Sequence, residues 1–217
     1  MTQANWLALP PEPWKNGGGV TRTLAADAGA RWRVSIADID ADGPYSCFPG
    51  YDRVSVVLMG QGVELRGDGE PVSLLPGAPA RFAGDAAYQS RLAGGPVRVL
   101  NLFVQRGAAR ARVACVGGTA QACAAGSLPD AAGERQTIRM TVAVSAGRLS
   151  GPDPGAQREL AAGEFSVGGG AAGDLFLPSE ATVPGRVAAV RLDIAVLASG
   201  PGFSIPSGAP GRRQGGC

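Results

Sequence analysis

Only one of the 20 basic residues in this chain is a lysine, and it lies beside one of only three asparagines, in Trp14-Lys15-Asn16-Gly17-Gly18-Gly19. All the other cations are arginines, as GC-rich coding favours, so a lysine and an asparagine kept side by side single out the segment. Its glycines can take positive φ and turn backbone N–H groups inward, forming a nest for a carboxylate or phosphate. Thr21 and Arg22 follow directly and add a hydroxyl and a cation. The Lys-Ser/Thr pair that closes a Walker loop is missing, so this is not a triphosphate cradle. A triple glycine alone says little in a chain with 34 glycines, and Gly168-Gly169-Gly170 reads as a turn.

Histidine is absent. That removes imidazole both as a metal ligand and as the base for a serine or cysteine nucleophile, and no Ser-x-x-Lys spacing replaces it. No metal or other cofactor is expected. The proton-transfer candidates are Asp38, Asp42, Asp52, Glu64, Asp85, Tyr45, Tyr51, Tyr88 and Lys15, most of which suit solvated turns or ordinary strand positions.

Side chains alternate across a strand, so Trp32-Arg33-Val34-Ser35-Ile36-Ala37 presents an apolar face of Trp32, Val34 and Ile36 and a second face of Arg33, Ser35 and Ala37. On an open sheet the second face is simply wet. Inside a barrel it leaves room for a small ligand and gives it an arginine partner. Asn101 interrupts the run Val97 to Val104, in which every other residue but Arg98 is hydrophobic. A buried amide needs hydrogen-bond partners or costs about 1 to 3 kcal/mol, which fits either a pocket wall or a structural bond to the backbone.

The elements that must position these residues are short alternating runs bounded by glycine, with few windows of helical period. This predicts a mainly β protein of the sandwich or barrel type. Expected strands are 20–25, 32–39, 53–59, 62–66, 72–75, 80–82, 88–92 and 97–105, then 111–116, 138–145, 164–167, 174–177 and 187–197. The glycine- and alanine-rich stretch 117–135 admits a short helix. The expected division is an N-terminal unit over 1–110 that holds the pocket, a C-terminal unit over 111–198, and a disordered tail over 199–217. A weak echo between 74–82 and 160–167 suits two stacked units of similar plan.

The net charge is +2, and the arginines are spread along the chain apart from Arg212-Arg213. That argues against a nucleic-acid surface. No apolar run approaches the roughly 20 residues of a membrane span, and the N-terminus lacks a secretory pattern, so a soluble cytoplasmic protein is expected. Cys47, Cys115, Cys123 and Cys217 form no Cys-x-x-Cys pair and read as free thiols.

The block Tyr51 to Leu65 followed by Leu74-Leu75-Pro76-Gly77 resembles the middle of a cupin barrel. Metal-binding cupins place histidines around this block, where the present chain has Arg53 and Tyr88. Five ordered motifs carry a more specific resemblance: Trp14 to Arg22, Trp32 to Ala37, Gly43 to Arg53, Phe82-Ala83-Gly84-Asp85 and Asn101 to Gly107. They are similar to the HutD/Ves family. The resemblance implies a bicupin fold of two cupin-like jelly-roll barrels, association with bacterial histidine utilisation, and binding of a small pathway metabolite without an established reaction. Carried onto this chain, it implies pocket residues Asn16, Thr21, Arg22, Arg33, Ser35, Ser46, Phe48, Arg53, Phe82 and Asn101. Gly17, Gly18 and Gly19 supply the rim, with Lys15, Trp14, Asp52 and Tyr88 at the margin.

Three functions follow. The preferred reading is a non-catalytic protein that binds a small carboxylate such as urocanate, formylglutamate or formate and moderates histidine or amino-acid utilisation, since paired arginines bind carboxylates through their planar forks. A metal-independent isomerase or lyase using Asp, Tyr or Lys15 is the catalytic alternative. The third is an oligomeric stress protein with a vestigial pocket; a homodimer suits any of the three.

Overall fold

The computed structural model describes residues 1–117, 122–126, 135–151, 157–169, 175–183, 186–197 and 203–206. The chain opens with β1 (Thr2–Asn5), one 3-10 turn at Trp6–Ala8 and β2 (Glu12–Pro13). The first half continues through β3 (Gly19–Asp27), β4 (Trp32–Ile39), β5 (Gly43–Tyr45), β6 (Tyr51–Met59), β7 (Val63–Arg66), β8 (Val72–Leu74), β9 (Ala80–Ala83), β10 (Tyr88–Leu92) and β11 (Val97–Gln105). The second half holds β12 (Ala109–Gly117), β13 (Ala122–Gly126), β14 (Arg135–Ala143), β15 (Gly147–Ser150), β16 (Gln157–Leu160), β17 (Glu164–Gly169), β18 (Leu175–Pro178), β19 (Val187–Leu197) and β20 (Phe203–Ser204). No described helix is long and apolar enough to cross a membrane.

Each half pairs a large sheet with a small one. The large sheets run β2-β3-β4-β11-β6-β9 and β1-β17-β14-β19-β12-β13, and the small ones β5-β10-β7-β8 and β16-β15-β18. The two large sheets share one core. Trp32, Val34 and Ile36 of β4, Val54 and Val56 of β6 and Leu100, Leu102 and Val104 of β11 pack with Val113, Ile138, Phe165, Leu192 and Ile194. The opposite face of the first large sheet packs Ala37, Val57 and Val99 against Val63, Leu65 and Leu74 of the small sheet. A sheet covered on both faces needs apolar residues at nearly every position. That is why the run Val97 to Val104 is almost continuous instead of alternating.

β12 begins at Ala109, just before the division expected between residues 110 and 111. Both ends of the chain cross that boundary, however. β1 pairs with β17 of the second half, and β20 pairs with Asp27 and Ala26 of β3 in the first. Phe203–Ser204 is therefore ordered pairing within the stretch expected to be a disordered tail. The short helix expected over 117–135 is replaced at 122–126 by β13; the remainder lies outside the described residues, apart from Gly117 and Arg135 at strand ends. Gly168 and Gly169 belong to β17 and not to a turn. Cys115 and Cys123 are free thiols, whereas Cys47 is disulfide-bonded, against the expectation of free thiols throughout. Burial pushes the Cys115 thiol up to about 11.

Candidate functional site

Strand register sorts the predicted residues into rows on the inner face of the first half. One row crosses Arg33 of β4, Phe103 of β11, Arg53 of β6 and Phe82 of β9; the next crosses Ser35, Asn101 and Ser55. Their neighbours Val34, Leu102 and Val54 point the other way into the shared core. Deeper rows are apolar, with Ala37, Val99 and Val57. Polar groups thus gather at one end of the interior.

Asn101 organises the inner row. Its Oδ1 accepts from Ser55 Oγ at 2.7 Å, Tyr45 Oη at 3.0 Å and Arg53 Nη2 at 3.3 Å. A guanidinium only donates, so the amide oxygen must face Arg53, which fixes the amide's orientation. Arg53 also donates from Nη1 to the Ser46 carbonyl at 2.7 Å, while its buried Nε has no partner among the described residues. Its guanidinium carbon lies 4.4 Å from the Tyr45 ring centre and 4.6 Å from that of Phe103. Arg33 lies over Phe103 at 4.7 Å and Phe48 at 5.3 Å. Among the described residues neither arginine forms an ion pair within 4.0 Å. Burial lowers the pKa of both, and the Arg33 charge adds to the effect on Arg53; Tyr45 opposes it at Arg53, and Glu12 and Tyr51 oppose it at Arg33. A guanidinium keeps its proton in proteins, so both side chains are read as cations.

A cavity of about 140 Å³ opens beside Arg33, walled by Asp27, Trp32, Phe48, Tyr51 and Phe103. It is smaller than the roughly 300 to 1,000 Å³ of drug-sized ligand sites, which suits a small acid. Cation–π contacts favour a desolvated guanidinium by about 0.5 to 2 kcal/mol, but rings accept no strong hydrogen bond. The arrangement can therefore hold two charges ready for an anion without neutralising them.

Of the expected residues, Arg33, Ser35, Phe48, Arg53, Phe82 and Asn101 come together here. Ser46 joins through its carbonyl, its side chain being exposed. Tyr88 stacks edge-on against Phe82. Tyr45, Tyr51, Ser55 and Phe103 are additional members. Period-two counting from Arg53 reaches Ser55 and Tyr51, and from Asn101 it reaches Phe103, so the signal was present in the alternation.

The glycine segment is elsewhere. Gly19 pairs with Ile39, six residues from Arg33 along β4, which is about 20 Å at strand rise. There Trp14 to Gly19 forms the turn between β2 and β3. Trp14 N–H donates to the Gly19 carbonyl, Gly17 N–H to the Trp14 carbonyl and Gly18 N–H to Asn16 Oδ1. Those N–H groups are used within the turn instead of facing a ligand. Gly17 has φ +70°, and a Cβ at Gly19 would collide with the Asp38 carbonyl, so both glycines answer local geometry. Trp14 Nε1 donates to Thr21 Oγ1 at 2.8 Å, and Lys15 is exposed.

Arg22 and Asp52 are on the opposite face of the sheet from Arg33 and Arg53. Arg22 bonds Asp38 at 3.0 Å, and Asp38 also holds Arg98. Asp52 pairs with Arg81 and Arg106 and accepts the Gly126 N–H. The proton-transfer roles considered for Lys15 and Asp52 thus lie away from the arginines. No group of three or more His, Cys, Asp or Glu among the described residues is placed to hold a metal.

A nearly all-β chain whose halves each stack a large sheet on a small one is of the cupin-like class. Bacillus subtilis oxalate decarboxylase variants share this fold at TM-score 0.53 and 9% identity, over 94% of this chain and 78% of theirs. Within that class, a family model described as HutD matches residues 8–148, and the chain belongs to the HutD family. A Pseudomonas fluorescens HutD structure, from a formate condition, aligns at TM-score 0.61 and 26% identity over 95% of this chain and all of that one. An uncharacterized 21.2 kDa protein in the hutC 3' region of Pseudomonas putida is 41% identical over 118 residues, 52% of this chain and 62% of that protein. Protein Ves of Citrobacter koseri is 35% identical over 111 residues, 48% of this chain and 58% of that protein. The chain spans about three fifths of the length of these curated relatives.

Proposed function

We propose that the first half binds a small carboxylate without turning it over, and that binding moderates histidine or amino-acid utilisation. The observation that carries this reading is the pair Arg53, buried, and Arg33, half-buried, which lie over the same Phe48 and Phe103 rings with no carboxylate among the described residues within 4.0 Å of either. An unpaired buried charge is costly, by several kcal/mol once desolvation is counted, so a fold that keeps Arg53 in this state beside the half-buried Arg33 has a use for it. Asn101 Oδ1 is already saturated by three donors, and the Asp27 carboxylate on the cavity wall is held by Arg31, which leaves the Arg33 guanidinium as the cation facing the space. The utilisation role draws on family membership and on the hutC-region relative from Pseudomonas putida.

Isothermal titration with formate, formylglutamate and urocanate tests the reading. At least one should bind, and binding should be lost in Arg33→Met and in Arg53→Met. Absence of heat and of thermal stabilisation with all three at millimolar concentration overturns it.

A further inference from the structure

The second half repeats the two arginines of that row, with the residue between them exchanged. Its central strand β19 lies between β12 and β14 as β11 lies between β4 and β6, antiparallel to both neighbours in each case. Arg112 and Arg139 flank Asp193 in register, and two residues earlier on β19 Ala114 and Thr141 flank Arg191. In the first half Arg33 and Arg53 flank Phe103, and two residues earlier Ser35 and Ser55 flank Asn101. Direction, spacing and face agree. Leu192 and Ile194 enter the shared core just as Leu102 and Val104 do, so Asp193 and Phe103 both point away from it. Arg112 therefore corresponds to Arg33, Arg139 to Arg53, and Asp193 to Phe103.

The exchange is one of charge. Where the first half places a ring between two cations, the second places a carboxylate, with Arg139 Nε 2.8 Å from Asp193 Oδ1. We propose that the second half contains a masked carboxylate site across Arg112 and Arg139, closed by Asp193 as its built-in occupant. The proposal rests on the reading of the first half only in taking an arginine pair at this sheet position as a receptor for one carboxylate. The Asp193 side chain is 40% exposed and Arg112 is exposed, so the masked site is open to solvent once the occupant is removed. Greater exposure also means stronger screening, and the unmasked site should bind more weakly than the first and lose affinity faster with added salt.

Formate titrated into the full-length chain at low ionic strength is the test, with heat and melting temperature recorded together. Asp193→Ala should take up about one formate more per chain than wild type, with a matching rise in melting temperature. The additional uptake should vanish in Asp193→Ala/Arg139→Gln. Folded Asp193→Ala with wild-type uptake overturns the proposal. If Asp193→Ala is unfolded, recovery of its fold by formate supports the masked site and failure to recover overturns it. Wild type that binds no formate, beside an Asp193→Ala variant that does, would count against the first-half reading while supporting this one. Wild type and Asp193→Ala that bind equally would do the reverse.

Discussion

Ser55 Oγ donates to Asn101 Oδ1 over 2.7 Å, from the residue directly across the strand pair. This contact and those from Tyr45 and Arg53 make one amide oxygen the common acceptor for three buried donors. Asn101→Leu removes the acceptor and leaves all three donors behind. The expected loss is about 1 to 3 kcal/mol, seen as a lower urea midpoint at unchanged slope. Asn101→Asp keeps the shape and sets a carboxylate against Arg53; it should fold and no longer bind formate. A wild-type midpoint for Asn101→Leu would mean that the donors find acceptors elsewhere.

Arg53 is the opposite case, a residue whose removal should help the fold. It is buried, and among the described residues its Nε is unpartnered and no carboxylate lies within 4.0 Å of it. Replacing a buried charge by an apolar side chain of similar length is often neutral or stabilising. Arg53→Met should therefore melt at or above the wild-type temperature while formate binding falls by about tenfold or more. A large drop in melting temperature would assign Arg53 a structural role through Ser46 and Asn101.

How far the sequence shows this site depends on whether a residue's constraint is local. Alternation along Trp32 to Ala37 separates Arg33 and Ser35 from the core face, and the lone polar break in Val97 to Val104 marks Asn101. Both belong to the inner rows. The Trp14 to Gly19 segment is conspicuous for a different reason: a tight turn against Asp38 requires glycine where a Cβ would strike a carbonyl. Composition cannot distinguish a glycine that serves a turn from one that serves a ligand. Arg22 falls on the core face because it pairs with Ile36, which only the strand pairing reveals, whereas the opposite face of Asp52 follows from alternation beside Arg53. The exchange of β1 and β20 between halves rests on pairings more than a hundred residues apart, which no local pattern records.

That placement of the turn is itself testable. Lys15→Ala should leave formate affinity unchanged and stability within about 0.5 kcal/mol, as for an ordinary surface substitution. Gly19→Ala should lower the urea midpoint, because its Cβ would meet backbone that cannot easily withdraw. Formate affinity reduced by Lys15→Ala in a fully folded protein would bring the turn into the site.

Asp27 gives the fold a pH dependence of definite sign. On the cavity wall, it accepts Arg31 Nη2 on Oδ1 at 2.8 Å and Arg31 Nε on Oδ2 at 2.9 Å. Burial alone would raise its pKa, but the bonds from Arg31 outweigh it and hold the carboxyl below its ordinary value. A carboxyl depressed on folding contributes stability that is complete above the unfolded pKa of about 3.9 and is lost as pH falls through the folded value. Asp27→Asn should accordingly be less stable than wild type at neutral pH, by about 1 to 3 kcal/mol for a charged hydrogen-bond acceptor. The gap between their urea midpoints should narrow steadily below about pH 4. A gap that stays constant down to the acid transition would mean that the loss comes from shape at the cavity wall and not from the Asp27 charge.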